Sequence, residues 1–243
     1  MKRIVIVGAT SGIGMESAKL FLQNGYIVGL AGRREENLLS LQKEYPKTAF
    51  IKKIDVVAPE APQLLSELID DMGGMDIYLH VSGIGFQNKE LQLQIEIDTV
   101  KTNCLGMTQM VVKAYDYFSK NGGGQIAVVS SIAGTKGLGV APSYSATKRF
   151  NNIYLQCLAQ LSRMRGDKIS FTDIRPGFVE TALLRNANYP MKMQAPYAAK
   201  KLYKAVVNKK RVAIIDWKYS ILVAFWQLIP NFIWERLKIV KTK

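Results

Sequence analysis

The sequence predicts an α/β fold: one doubly wound parallel sheet with helices on both faces, followed by C-terminal amphipathic helices. Two patterns carry the prediction. Short Val- and Ile-rich runs at 3–7, 26–31, 49–54, 76–81, 125–130 and 168–174 lack strict polar alternation, as strands covered on both faces do. A seventh run lies at 211–215. Helix-length segments at 13–24, 35–45, 60–72, 97–120 and 143–165 separate them, and strands alternating with helices build right-handed βαβ units. No internal repeat or composition break marks a second domain. A chain of 243 residues is long enough for one well-buried core. The reading is one domain over 1–215 and a basic extension over 216–243.

Composition narrows the chemistry. Hydrophobic residues make up 48% of the chain and charged ones 21%, a balance that argues against disorder. Cys104 and Cys157 are too few and too isolated for a disulfide framework or a metal site. His80 is the sole histidine, which leaves little for a histidine-based zinc centre or a Ser-His-Asp triad. Met1-Lys2-Arg3 runs straight into a short apolar strand with no cleavage site behind it, so a cytoplasmic protein without a signal peptide is expected. The formal charge of +14 is unevenly placed: positions 200–243 hold eleven Lys/Arg against Asp216 and Glu235, a net of +9.

Taken in order, the first strand stops at Gly8-Ala9-Thr10-Ser11-Gly12-Ile13-Gly14, which opens the first helix. Glycines there let the backbone turn and approach a ligand, and the helix N-terminus offers free N–H groups to a pyrophosphate. The spacing is Gly-x3-Gly-x-Gly, neither the usual Gly-x-Gly-x-x-Gly nor a P-loop. In the first βα turn it predicts a Rossmann-like dinucleotide site. The second strand ends at Ala31-Gly32 and is followed by Arg33-Arg34, where an acid would hydrogen-bond a ribose 2′-hydroxyl. Two arginines suit a 2′-phosphate, so the expected cofactor is NADP(H). Asp55, with Val56 beside it, follows the third strand and is placed to accept from an adenine amino group or to start a helix.

At this point the chain resembles the short-chain dehydrogenase/reductase family, over about residues 3–181. Gly8, Gly12 and Gly14 match the family's cofactor glycines. Asn103 in "TNCLG" matches a helix asparagine that supports a water-linked proton path, and Ser131 in "VVSSIAG" matches a substrate-orienting serine. Tyr144 follows Ser131 by thirteen positions, with Lys148 four further. "RPGFVET", including Pro176, Gly177, Val179 and Thr181, matches the segment bordering the nicotinamide, where Thr181 would bond the carboxamide. One departure stands out. His80-Val81-Ser82-Gly83 replaces the family's Asn-Asn-Ala-Gly after the fourth strand. Gly83 keeps room beside the cofactor, with Ser82 as its neighbour, and His80 reads as a strand-end residue rather than a catalyst.

The resemblance implies carbonyl chemistry. A free tyrosine, with a pKa of about 10, is a poor base near neutrality, and a nearby ammonium favours its phenolate. Tyr144 is then the acid/base and Lys148 its electrostatic partner, which in the family also holds the nicotinamide ribose. Ser131 would donate to the substrate oxygen. The stretch at 182–200 falls where the family places a mobile lid, and Leu183 and Leu184, with Tyr189, Met191 and Met193, would line an apolar pocket or simply pack the lid down. Leu138, between two glycines, would form another wall. The resemblance implies a kink in the Asn103 helix, although nothing in the local sequence requires one.

The tail combines an apolar stretch over 219–229, Pro230, and a second segment over 231–240. Its tryptophans, Trp217, Trp226 and Trp234, stand among lysines, as in an interfacial helix pair. Peripheral membrane contact through 217–243, at the inner face of a membrane, competes with a subunit interface or a cap on the substrate pocket. No nucleic-acid partner is expected, since the aromatics sit in an apolar run. The leading expectation is an NADPH-dependent reductase of a lipophilic ketone, such as a steroid-like or long-chain 3-oxo compound. The alternatives are a 3-oxoacyl-carrier-protein reductase and a non-catalytic nucleotide sensor or membrane scaffold. Family analogy suggests a homo-oligomer, a dimer or tetramer.

Overall fold

The structure is a computed structural model that describes residues 1–181, 184 and 191–238. Seven parallel strands form the sheet: β1 (Arg3–Val7), β2 (Ile27–Gly32), β3 (Ala49–Lys53), β4 (Ile77–His80), β5 (Gly124–Val129), β6 (Ile169–Pro176) and β9 (Val212–Ile215), in the order β3-β2-β1-β4-β5-β6-β9. A separate two-strand pair joins β7 (Val179–Glu180) to β8 (Met193–Gln194). The period of two along β1 shows why the strands read as continuous apolar runs. Ile4 and Ile6 point into one core, with Phe21 of α1 (Gly12–Gln23), Leu38 of α2 (Glu35–Glu44) and Leu202 of α7 (Ala195–Val207). Val5 and Val7 point into the other, with Leu65 of α3 (Ala61–Asp71), Met110 of α5 (Met107–Lys120) and Leu155 of α6 (Pro142–Arg165). Both cores are buried, so neither face of the strand calls for polar residues.

Strand order reverses between β1 and β4, which leaves a crevice at their carboxyl ends, the usual ligand site of such sheets. The loops after β1, β4, β5 and β6 converge there.

Three features depart from the sequence reading. The single helix expected at 97–120 begins earlier, as α4 (Leu93–Val100), and passes through a π-helical turn at Lys101–Gly106 before α5. Such turns insert an extra residue into a helix and often mark functional sites. Residues 195–200, assigned to a mobile lid, belong instead to α7, where Ala198 and Ala199 are fully buried. Of the rest of that lid, residues 182, 183 and 185–190, including Leu183 and Tyr189, lie outside the described residues, while Met193 and Gln194 form β8. In the tail, α8 (Trp217–Leu228) is followed by α9, which spans only Asn231–Trp234 rather than a second long helix. Tyr219 and Val223 of α8 sit in the main core. Each such burial contributes roughly 1.5–3 kcal/mol, which fastens α8 to the sheet.

Candidate active site

The cleft at the carboxyl ends of the strands has a volume of about 2420 Å³. A drug-sized ligand fills roughly 300–1,000 Å³, so a dinucleotide and a second molecule fit together. At one end lies the glycine loop. Gly8 has φ +97°, and a Cβ there would come within 2.6 Å of the Ser82 backbone nitrogen. A side chain at Gly14 would strike the Gly8 carbonyl. The loop therefore lies flat against the β4 loop, with α1 opening beneath it. Ser11 caps no N–H of α1 with its side chain. Its hydroxyl accepts instead from Arg34 Nη2 at 2.6 Å, and Thr10 Oγ1 accepts from the same nitrogen at 3.0 Å. Asn37 Nδ2 donates to the Thr10 carbonyl at 2.8 Å. A cationic fork is thus bound to the loop beside an uncapped helix end, a donor set that fits a dinucleotide bearing an extra phosphate. Arg33 lines the same end and is exposed. Asp55 accepts from the Val57 N–H at 3.3 Å, and α3 starts only at Ala61, so Asp55 is not the cap of that helix.

At the other end, α6 carries Tyr144 and Lys148 one turn apart. The Lys148 Nζ sits 5.7 Å from the centre of the Tyr144 ring and donates to the Val129 carbonyl at 3.0 Å. Burial brings the Lys148 pKa down to about 8, with the Asp173 carboxylate pulling the other way. A side chain on Gly85 would collide with the Tyr144 ring, which places the phenol against the loop after β4. Ser131 heads the 3₁₀ turn Ile132–Gly134, and its Oγ accepts from the Ala133 N–H at 3.1 Å. Ser145 holds the following turn: its Oγ lies 2.5 Å from the Ala133 carbonyl and accepts from the Leu138 N–H at 3.2 Å.

The cleft brings together nearly every residue singled out by sequence. Gly8, Thr10, Ser11, Gly12, Ile13, Gly14, Arg33, Arg34, Asp55 and Val56 line the dinucleotide end, and Ser82 and Gly83 its middle. Ser131, Leu138, Tyr144, Lys148, Pro176, Gly177, Val179, Thr181 and Leu184 line the rest. Thr181 packs on Gly12, where an added Cβ would meet its Cγ2 at 3.0 Å.

Among the other described candidates, Met193 packs into the core and Met191 is exposed, neither lining the cleft, and Asn103 is buried behind it. Its Oδ1 accepts from the Ile84 N–H at 2.8 Å, while its Nδ2 donates to the Ile84 carbonyl at 2.7 Å and to Thr147 Oγ1 at 3.1 Å. The π-helical turn carries Asn103 to that position. With its amide turned to face acceptors, Asn151 donates to the Asn103 carbonyl at 3.0 Å and closes the turn.

Sequence reasoning missed the polar support under the lysine. Asn152 continues the stripe of Tyr144 and Lys148 by four more residues, and its Nδ2 donates to Ser130 Oγ at 2.8 Å and to Asp173 Oδ2 at 3.0 Å. Ser130 also donates to Asp173, which Arg175 grips through Nε at 2.8 Å and Nη2 at 2.7 Å. The i, i+4, i+8 spacing was the available signal. The partners, Ser130 just after β5 and Asp173 on β6, are distant in sequence.

His80 ends β4 as expected, fully enclosed, with Nδ1 2.9 Å from the Tyr78 hydroxyl. Burial, reinforced by the Lys148 charge, lowers its pKa from 6.5 to about 3, so it is neutral in the folded protein at ordinary pH. The unfolded chain binds this proton near 6.5, and stability is therefore lost as pH falls from 6.5 toward 3. That window is worth on the order of 4 kcal/mol from this residue. Urea unfolding of His80→Asn at pH 4.5 and pH 7 should show a smaller acid loss than the parent. An equal loss in both proteins would assign the acid sensitivity elsewhere.

The comparisons with known proteins agree with this geometry. The family model described as short chain dehydrogenase matches residues 2–201. An "uncharacterized oxidoreductase" of Mycobacterium tuberculosis is 28% identical over 241 residues, covering 94% of both chains. The "dehydrogenase/reductase SDR family member 7B" of Xenopus tropicalis is 30% identical over 196 residues, covering 76% of this chain and 63% of its own. Among solved structures, ElxO with NADP bound superposes with a TM-score of 0.79 at 22% identity, covering 90% of this chain and 99% of that one. The match over most of the chain, with the tyrosine, lysine and serine gathered on one cleft, makes this protein a member of the short-chain dehydrogenase family.

Proposed function

We propose that the protein is an NADP(H)-dependent oxidoreductase that reduces a ketone, or oxidises the corresponding secondary alcohol, on a lipophilic substrate such as a steroid-like or long-chain 3-oxo compound. The observation that carries this reading is the Tyr144–Lys148 pair on the cleft wall, with its lysine buried and its pKa near 8. NADPH, when bound, supplies the hydride. The protein's own residues handle the proton. The Tyr144 hydroxyl gives its proton to the substrate oxygen as negative charge develops there, and the Lys148 ammonium stabilises the phenolate left behind. Ser131 donates to the same oxygen. Asn103, acting from behind the cleft, is a positioning residue: it fixes the Ile84 backbone and Thr147 next to Lys148.

A lipophilic substrate is supported by the walls beyond Tyr144, where Leu138, Phe178, Leu184, Trp226 and Trp234 face the cleft. A homo-oligomer is supported by exposed apolar side chains on the helical face of α5 and α6, among them Val112, Phe150, Ile153 and Met164. The reading includes a cytoplasmic protein whose tail touches a membrane, supported by exposed Trp217 and Phe225.

Incubation with NADPH and a panel of ketones, followed by nicotinamide absorbance, tests the activity. Oxidation of NADPH by no member of the panel removes the enzyme reading. Cofactor choice has its own readout. In fluorescence titrations, replacing Arg33 and Arg34 together with alanine should weaken NADPH binding by about 10- to 100-fold, the scale of a lost charge-assisted contact, and leave NADH binding little changed. Equal losses for both dinucleotides would show that the arginines do not read the extra phosphate.

A further inference from the structure

We propose that α8 and α9 form a two-sided wall, one side closing the catalytic cleft and the other seating on an anionic bilayer, so that docking delivers the lipophilic carbonyl to the site. The proposal rests on the reductase reading of the cleft.

α8 is apolar on two opposite faces, with Lys218, Ser220 and Gln227 between them. Tyr219, Leu222, Val223 and Trp226 turn inward, at the spacing of one helix face. Trp217, Ile221, Phe225 and Leu228 form the opposite stripe, 64%, 48%, 68% and 79% exposed, and Phe232 extends it at 61%. A helix face that meets only water is polar. On α8 the only charged residue is Lys218. This is a continuous exposed apolar surface of the kind that marks an interaction site.

Charge decides the occupant. Lys218 of α8 and Arg236 just after α9 are exposed, Glu235 and Lys238 line the cleft, and the sequence adds Lys241 and Lys243. A second copy seated on this face would bring these cations against their own counterparts. An anionic lipid surface attracts them, at short range and in a salt-sensitive way. Among the described residues no helix is long and apolar enough to cross a membrane. At about 18 Å, α8 is well short of a hydrocarbon core of about 30 Å and lies along the interface.

The inner side is bound to the catalytic turn. Trp226 Nε1 donates to Thr135 Oγ1 at 2.8 Å, and Trp234 Nε1 donates to the Gly137 carbonyl at 2.6 Å. Lys136 Nζ reaches the Ile229 carbonyl at 2.7 Å and Asn231 Oδ1 at 2.8 Å. These contacts fasten the tail to the segment that follows Ser131. They also correct the expectation of three interfacial tryptophans, since Trp226 and Trp234 stack edge to face against the cleft and Trp217 alone faces outward. Along α8, neighbouring residues alternate between the two roles: Phe225 and Leu228 face out, while Trp226 and Gln227 line the cleft.

The experiment uses the full chain and a Phe225→Glu/Leu228→Glu double variant, neither residue belonging to the cleft. Vesicles of phosphatidylcholine alone are compared with vesicles that also carry phosphatidylserine. The parent should sediment with the anionic vesicles and be released by salt, and the variant should partition at least about tenfold less. Anionic vesicles should lower the parent's KM for a bilayer-dissolved long-chain ketone and leave a small water-soluble ketone unaffected. The variant should lose that vesicle effect yet turn over the soluble ketone like the parent. Failure of the parent to sediment overturns the proposal, as does sedimentation without any change in KM. A variant that still sediments but changes oligomeric state makes the face a subunit interface, which also overturns it. Absence of soluble-ketone turnover in both proteins instead removes the reductase reading, and with it the delivery role.

Discussion

Tyr144→Phe is expected to leave the fold and NADPH binding near their parental values while cutting ketone turnover by about 10²- to 10⁴-fold, the usual range for a lost general acid. The substitution keeps the ring, so its packing against Gly85 and its position beside Lys148 persist. Only the hydroxyl that supplies the proton is removed. Single-turnover kinetics with prebound NADPH separate this loss from binding. A variant with near-parental turnover would move the proton donor to another residue.

Lys148→Met is expected to damage catalysis on a similar scale and to stabilise the protein. The folded pKa of about 8 lies below the unfolded value of 10.5, so below pH 8 the fold carries the full cost of enclosing a cation. The unfolded chain holds the extra proton between pH 8 and 10.5, and across that window the cost fades as pH rises. A shift of this size corresponds to roughly 3 kcal/mol, and loss of the bond to the Val129 carbonyl returns about 1 kcal/mol of it. Methionine fills a similar volume without charge, and Arg175 still pairs with Asp173, which leaves a net gain of about 1–2 kcal/mol at pH 7. Urea unfolding at pH 7 and pH 10.5 checks the sign. A gain at pH 7 that shrinks at pH 10.5 agrees with burial as the cause, and a destabilised variant at pH 7 contradicts it.

Much of this architecture was legible because it is local. The β1 run, the glycines after it and the four-residue spacing of Tyr144 and Lys148 depend on neighbours in sequence. What the sequence left unread depends on distant partners. The π-helical turn at Lys101–Gly106 needs Asn151 and the Ile84 backbone, which lie far along the chain, and no residue within the turn forces it. The family resemblance extends the lid to about residue 200, whereas Ala198 and Leu202 of α7 face a core shared with α1. The tail gave two readings that excluded one another in one dimension. Its apolar residues supported both a membrane face and a pocket cap, and only the helix geometry turns Trp226 to the cleft and leaves Phe225 exposed.

The stripe of Tyr144, Lys148 and Asn152 has a consequence for how the catalyst ages under heat. Because Asn152 is fastened to Ser130 just after β5 and to Asp173 of β6, the Tyr144–Lys148 pair is tied to the hydrogen-bonded frame of the sheet. Heating is therefore expected to separate the phenol and ammonium only as the sheet is lost, so that activity and sheet content fall in one transition.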